Sequence, residues 1–153
     1  MNSLELKIPP PFVALALALL MWGASSATEP IEVPFALRLG IALVLVVVGQ
    51  SISISGMVAF RRAKTTINPI KASAASSLVS SGVYRFTRNP VYLGLLLTLS
   101  AWALFLSNPV AWLFLPLFVL YMNRYQIGPE ERVLSSLFGA EYAAYKKKVR
   151  RWL

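Results

Sequence analysis

The 153-residue chain contains no cysteine and no histidine. Those two absences exclude disulfide frameworks, thiol nucleophiles, imidazole bases and the usual zinc and haem ligands. Any chemistry must therefore use carboxylates, arginines, lysines, tyrosines or a borrowed cofactor. Charge is also scarce, at 14% of residues against roughly 25% in an ordinary soluble domain. What fills the chain instead is apolar, 57% of it, gathered in blocks of helix-spanning length rather than short alternating strands. The expectation is an all-α, polytopic membrane protein forming a single domain over 1–153. A net charge of +9 is compatible with nucleic acid, but cytoplasmic loops of membrane proteins collect lysine and arginine anyway, so no nucleic-acid partner is expected.

Four transmembrane helices are predicted, at 12–27, 35–60, 90–107 and 109–125. The first, Phe12 to Ala27, follows Lys7 and ends in small residues, imitating a secretory signal peptide; it is read as a retained helix. The second contains "GQSISISG", which alternates like a strand. Embedded in 26 apolar-rich residues, its glycines and serines read as small, packable helix positions. The third and fourth are separated only by Ser107 and Asn108, which forces a tight antiparallel hairpin. From Asn89 to Ser107 a helix extends about 28 Å, just enough for a ~30 Å hydrocarbon core. Pro116 is expected to kink the returning helix.

The connection from Thr28 to Pro34 carries Glu29 and Glu32 and no basic residue, whereas Arg61 to Arg88 holds six basic residues and the segment from Arg124 onward seven. Both termini are therefore expected in the cytoplasm. Arg38, near the outer end of the second span, can snorkel to the interface. Trp22, Trp102 and Trp112 fall at predicted outer ends, and all six tyrosines on the cytoplasmic side. Polar and aromatic chemistry is thus concentrated at one face.

At that face lies "RFTRNPVYLG", Arg85 to Gly94. Asn89 is a capping residue and Pro90 suits a first helical turn, so the third span is predicted to start there. A helix N-terminus carries about half a positive charge; Arg85 and Arg88 add two full ones. The stretch suits an anion, or serves to anchor the helix against lipid headgroups. In "GPEERVLSSLFGAEYAAYKKKVRRWL", Gly128 and Pro129 are expected to break the fourth span and Glu130 and Glu131 to open a new helix, complementing its dipole. Val133, Leu134, Leu137 and Phe138, then Tyr142, Tyr145, Val149 and Trp152, recur at helical spacing. They predict an amphipathic helix pair on the cytoplasmic surface, interrupted at Gly139, with Lys146 to Lys148, Arg150 and Arg151 meeting headgroups. Because the hairpin makes Arg88 and Arg124 neighbours, Glu130 and Glu131 should lie near the Asn89–Pro90 step. A cleft of that kind suits a zwitterion, and tyrosine faces favour a cation by roughly 0.5–2 kcal/mol. S-adenosylmethionine presents a carboxylate, an amino group and a sulfonium.

Over Gly82 to Val149 the chain resembles the integral-membrane methyltransferases typified by isoprenylcysteine carboxyl methyltransferase and the phospholipid N-methyltransferases. The resemblance rests on Gly82-Val83-Tyr84, Arg88-Asn89-Pro90-Val91-Tyr92-Leu93-Gly94, Asn108-Pro109, Glu130-Glu131 and the tail from Phe138-Gly139 to Tyr142 and Tyr145, in that order and at matching spacing. It implies that Tyr84, Arg88, Asn89, Pro90, Tyr92, Gly94, Glu130 and Glu131 form a pocket for S-adenosyl-L-methionine, with S-adenosyl-L-homocysteine as product, and that a lipophilic acceptor enters from the bilayer. The family's basic tail residue, which holds the acceptor's carboxylate, falls on Lys148 where relatives carry arginine; lysine lacks the two-pronged grip. Asn89 stands where the family has histidine. Asparagine cannot titrate, so Asn89 cannot abstract a proton. An ionised carboxylate acceptor survives that loss and an amine does not, which favours carboxyl O-methylation over lipid N-methylation.

Two other readings stay open. A small lipid-binding scaffold explains the basic tail without a cofactor. A nicotinamide-dependent membrane reductase would need a Gly-rich phosphate loop, and none is present. The small-residue face of the second helix permits a homo-oligomer.

Overall fold

The computed structural model describes residues 5–63 and 77–153, and all regular structure among them is helical. The chain forms α1 (Pro10–Ser26), α2 (Phe35–Arg62), a 3₁₀ turn (Gly82–Arg85), α3 (Pro90–Leu106), α4 (Pro109–Trp112), α5 (Phe114–Tyr121), a π-helical turn (Met122–Ile127) and α6 (Gly128–Lys148). The all-α expectation is met, with element boundaries close to the predicted segments. Lys64 and Lys71 of the basic connection lie outside the described residues.

Prolines set the starts. α1, α3 and α4 each carry proline in the first turn, where a missing N–H costs nothing and the fixed φ suits the helix. α2, with 28 residues and no proline, is the described helix long and apolar enough to cross a membrane unaided; α1 and α3 have 17 residues each. On α1 and α2 large apolar side chains stand exposed, among them Phe12, Leu15, Leu19, Leu37, Val44 and Val47. Exposed apolar area of this kind marks a surface that meets a membrane or another protein.

α2 and α3 pack along a seam of small residues. A methyl group on Gly49 would lie 2.8 Å from the carbonyl oxygen of Gly94, and one on Gly56 2.9 Å from the Pro90 ring. Between them Ser53 donates to the Val91 carbonyl at 3.3 Å, and Gln50 donates to the Thr98 hydroxyl at 3.0 Å. The strand-like "GQSISISG" is thus the helical face that lets two backbones approach.

At the opposite end of α3, Ser107 adopts a left-handed conformation (φ 52°) and Asn108 reverses the chain. Its side-chain oxygen accepts from the Val110 N–H at 2.9 Å, capping α4. Its Nδ2 donates to the Thr28 hydroxyl at 2.8 Å and toward the Ser25 carbonyl at 3.3 Å. One fully buried amide therefore ties the hairpin to the end of α1. Asn108→Ala is expected to lose about 2 kcal/mol or more, combining a lost cap with buried partners left unsatisfied. Asn108→Asp, which retains the capping oxygen but sets a second, buried carboxylate oxygen against the Ser25, Thr28 and Glu29 carbonyls, should lose at least as much. Thermal unfolding of the three proteins in one detergent measures the order.

The returning helix is interrupted at Leu113, between α4 and α5. Pro116 explains the place, because its missing N–H leaves the carbonyl four residues earlier, on Trp112, without a helical donor. Gly128 and Pro129 do not break the helix, contrary to the expectation from sequence. Gly128 is helical (φ −58°, ψ −51°) and the chain runs into α6 through the π turn. Widening the turn relieves the proline ring of the preceding carbonyls, and glycine permits it, since a methyl group at Gly128 would lie 2.9 Å from the Asn123 carbonyl oxygen. The carbonyl that Pro129 cannot serve, on Tyr125, accepts instead from the Leu6 N–H at 3.0 Å. Gln126 Nε2 donates to the Ile8 carbonyl at 2.7 Å, and Arg132 pairs with the buried Glu5 at 2.7 Å. The segment before α1 is thereby strapped across the π turn.

Candidate functional site

Two features of local sequence bring the site together. Gly139 departs from helical geometry (φ 45°, ψ −117°), a conformation that favours glycine, and divides α6 into the predicted pair. Its second half buries Tyr142 and Tyr145. The Tyr145 hydroxyl donates to the Tyr84 carbonyl at 2.7 Å, and the Tyr84 ring meets Phe60 edge-on at 5.4 Å. Burial pushes both tyrosine hydroxyls up, so they remain protonated donors at neutral pH.

α6 then ends at Val149, whose backbone is extended (φ −124°, ψ 132°), and the tail runs beside the entrance to α3. The Arg88 N–H donates to the Arg150 carbonyl at 3.0 Å. The Thr87 hydroxyl and Asn89 Nδ2 both donate to the Arg151 carbonyl, at 3.3 and 2.8 Å. Asn89 occupies the N-cap position of α3 but makes no side-chain cap. This corrects the expected capping role: the amide is spent on the tail's backbone.

That lacing sets up the charges. Glu131 accepts from Arg151 through both carboxylate oxygens, at 3.1 and 2.7 Å, and pairs with Arg88 Nη2 at 3.1 Å. The Arg88 and Glu131 side chains are only 11% and 13% exposed, so little water screens them. Arg151 also reaches Asn123 Oδ1 at 3.3 Å, which accepts from Trp152 Nε1 at 3.1 Å. Two guanidinium groups on one carboxylate leave one positive charge in excess, and Arg88 Nε and Nη1 are buried without a partner among the described residues. Beside them the Tyr92 hydroxyl donates to Glu130. Burial pushes the Glu130 carboxyl up to about 7; the Tyr92 hydrogen bond opposes the rise and Glu131 adds to it.

Arg88, Asn89, Tyr92, Glu130 and Glu131 thus meet at the mouth of α3. Tyr84 stands behind them, through Tyr145. Pro90 and Gly94 face the α2 seam: Pro90 packs on Gly56, and Gly94 leaves no room for a methyl group beside Ser53 and Gly49, so both hold the helices together. Lys148 is exposed in the last turn of α6 and makes no hydrogen bond or ion pair among the described residues. Arg151 corrects its expected role at headgroups, since its charge serves Glu131. Sequence reasoning also missed Asn123, Thr87 and Trp152. Asn123 carried a signal, because an amide at the end of an apolar span must find a partner; nothing local distinguishes Arg151 from Arg150.

A family model described as phospholipid methyltransferase matches residues 37–141, a region holding nearly all of α2, the charged cluster at the mouth of α3 and the first two thirds of α6. The chain belongs to the phospholipid methyltransferase family. Among family relatives it is 30% identical over 107 residues to protein-S-isoprenylcysteine O-methyltransferase A of Arabidopsis thaliana, covering 70% of this chain and 54% of that one. With the protein-S-isoprenylcysteine O-methyltransferase of Schizosaccharomyces pombe it shares 32% over 108 residues, 71% of this chain and 46% of the other. A shorter stretch of 63 residues, 41% of this chain, is 56% identical to the whole of an uncharacterized protein of Haemophilus influenzae. The chain spans about half the length of the plant and yeast methyltransferases it matches. No solved structure matches it. Within the family match fall all the charged residues of the cluster except those of the tail, 149–153.

Proposed function

We propose that this family member is an S-adenosylmethionine-dependent methyltransferase embedded in the membrane by four helical segments, with both termini and the cleft at the cytoplasmic face, acting on a lipophilic acceptor. Carboxyl O-methylation of the isoprenylcysteine type is the favoured reaction. The observation that carries the reading is the cluster at the mouth of α3, where Arg88 offers two buried donors that no described residue satisfies. A carboxylate can take one charge-assisted bond from Nη1; the Nε N–H points to the other edge of the guanidinium, beside the Nη2 that Glu131 already holds. Glu131 is neutralised by its two arginines, which leaves Glu130 as the carboxylate for an ammonium group. The tyrosines Tyr92 and Tyr142 add aromatic faces nearby.

S-adenosylmethionine supplies a methyl group on a sulfonium, already activated for transfer. The chain's own residues have then to hold and align. Arg88, fixed by Glu131 and by its backbone bond to the tail, orients the cofactor's carboxylate. The lacing of 149–153 across the α3 entrance excludes water. Lys148, exposed beside this lacing, is the proposed contact for the acceptor's carboxylate. Asn89 takes no proton, since an amide does not titrate; it holds the tail by donating to the Arg151 carbonyl. Alignment in a site shielded from water supplies the rate.

A second reading, N-methylation of a lipid amine, is favoured by one observation: Glu130, with its carboxyl raised to about 7, is a group able to accept a proton near neutrality.

Calorimetry in detergent micelles with S-adenosylhomocysteine tests the cofactor. Binding is expected to weaken at least tenfold in Arg88→Ala. It should strengthen from pH 6 to pH 8 as Glu130 loses its proton, and the pH dependence should vanish in Glu130→Gln. Undiminished binding in Arg88→Ala defeats the site, and an unchanged pH profile in Glu130→Gln removes Glu130 from it.

A further inference from the structure

Far from the charged cluster, toward the hairpin end of the helices, α1, α2 and α3 part to leave an open groove of about 490 Å³. Alanines make it: Ala14 and Ala18 of α1 and Ala42 of α2 stand where their neighbours carry larger side chains, facing Leu95, Leu99 and Trp102 of α3. Thr98 is the one polar residue in the lining. Its hydroxyl is already engaged, donating to the Gly94 carbonyl at 2.9 Å and accepting from Gln50 at 3.0 Å. The walls therefore offer nothing polar to a guest.

Along α3 the lining runs from Leu95 to Phe105, about 15 Å at 1.5 Å per residue, which is half a hydrocarbon core of ~30 Å. The groove is as deep as one leaflet. At its outer end stands Arg38, adjacent in α2 to the lining residue Leu39. Its guanidinium lies over the rings of Phe35 and Phe105, at 5.4 and 5.6 Å, and Nη1 donates to the Phe105 carbonyl at 3.3 Å. A guanidinium has five N–H donors, and this is the single side-chain bond it makes among the described residues; its Nε is buried without a partner. No carboxylate among the described residues pairs with it. The cation is thus held rigidly by two rings and a helix C-terminus while its charge is left uncompensated.

We propose that the groove holds one acyl chain of a phospholipid from the leaflet opposite the cleft, with the lipid phosphate on Arg38. The inference rests on the reading that these helices span a bilayer, but not on the methyltransferase activity. Bulk lipid tails are as apolar as the groove walls, so chain insertion alone gives little preference. Selectivity must come from the phosphate, whose oxygens accept from a guanidinium fork. An anionic phosphate is therefore required and the length of the chain is not.

Native mass spectrometry of the full chain, released from micelles doped with phosphatidylglycerol, tests this. Wild type is expected to retain one phosphatidylglycerol, and Arg38→Gln to lose at least about tenfold of the retained fraction. Ala18→Leu, at a partly exposed position that fills the groove while leaving Arg38 in place, should lose a smaller but measurable part of it, since the displaced chain no longer seats the phosphate on Arg38. Diacylglycerol, which has the tails without the phosphate, should not be retained. Equal retention in either variant, or of diacylglycerol, overturns the proposal. S-adenosylhomocysteine affinity, measured in parallel, should be unchanged in both variants; its absence from wild type would sink the methyltransferase reading and leave the lipid site standing.

Discussion

Glu131→Gln is expected to lower the thermal midpoint in detergent by several degrees and to abolish S-adenosylhomocysteine binding together. The carboxylate is the shared counter-charge of Arg88 and Arg151, and a neutral amide leaves both arginines facing each other across a site that is nearly closed to water. Breaking one side of a buried pair costs about 3–5 kcal/mol. The low end applies here because the Arg151 side chain is 36% exposed and partly screened. Loss of the clamp also frees the tail, and with it the carbonyls that engage Thr87, Arg88 and Asn89. Glu131→Asp, which keeps the charge but shortens the reach, should recover part of the stability and little of the binding. A Glu131→Gln protein with the wild-type midpoint would show that the clamp is not structural. The neighbouring carboxyl, Glu130, predicts that stability falls with rising pH. Glu130 holds its proton to about pH 7 in the folded chain, against a reference value of 4.5, so its protonated form contributes stability that is complete below about 4.5 and lost as the pH rises through 7.

Gly94→Ala should be nearly as damaging, for a reason unconnected with charge. A methyl group at this position would collide with the Ser53 hydroxyl and with the backbone oxygen of Gly49. The serine side chain can turn away, but the backbone of a helix cannot yield without separating α2 from α3. Overpacking of this kind costs about 1–3 kcal/mol, and here it falls on the most extensive helix pairing among the described residues. Folded yield after size exclusion should drop sharply. Combining the change with Ser53→Gly should recover only part of it, since the Gly49 oxygen remains. Full recovery would show that the hydroxyl alone sets the limit. Because Arg88 and Asn89 lead directly into α3 and Tyr92 stands in its first turn, its displacement should also weaken cofactor binding.

Much of this molecule was legible before any coordinates. The helical blocks, the proline starts, the break at Gly139 and the approach of the glutamate pair to the Asn89–Pro90 step follow from composition, from the conformational limits of single residues and from a two-residue hairpin connection that leaves the chain nowhere else to go. The Pro116 interruption was equally visible, because a missing N–H acts on one defined carbonyl. The same rule misled at Gly128–Pro129. There the carbonyl orphaned by proline finds the Leu6 N–H, more than a hundred residues earlier in the chain, and the turn widens instead of ending.

The sequence by itself therefore determined the helices, their polarity and the face that carries the charges, since hydropathy, turn chemistry and backbone restriction act over a few residues. Only the tertiary structure decided which arginine serves Glu131, that Asn89 binds the tail instead of capping its helix, that Gly94 belongs to a seam, and that Lys148 stands apart on the surface. Those assignments depend on distances between groups tens of residues apart, and a charge on a string of letters does not say which opposite charge it will meet once water has been excluded.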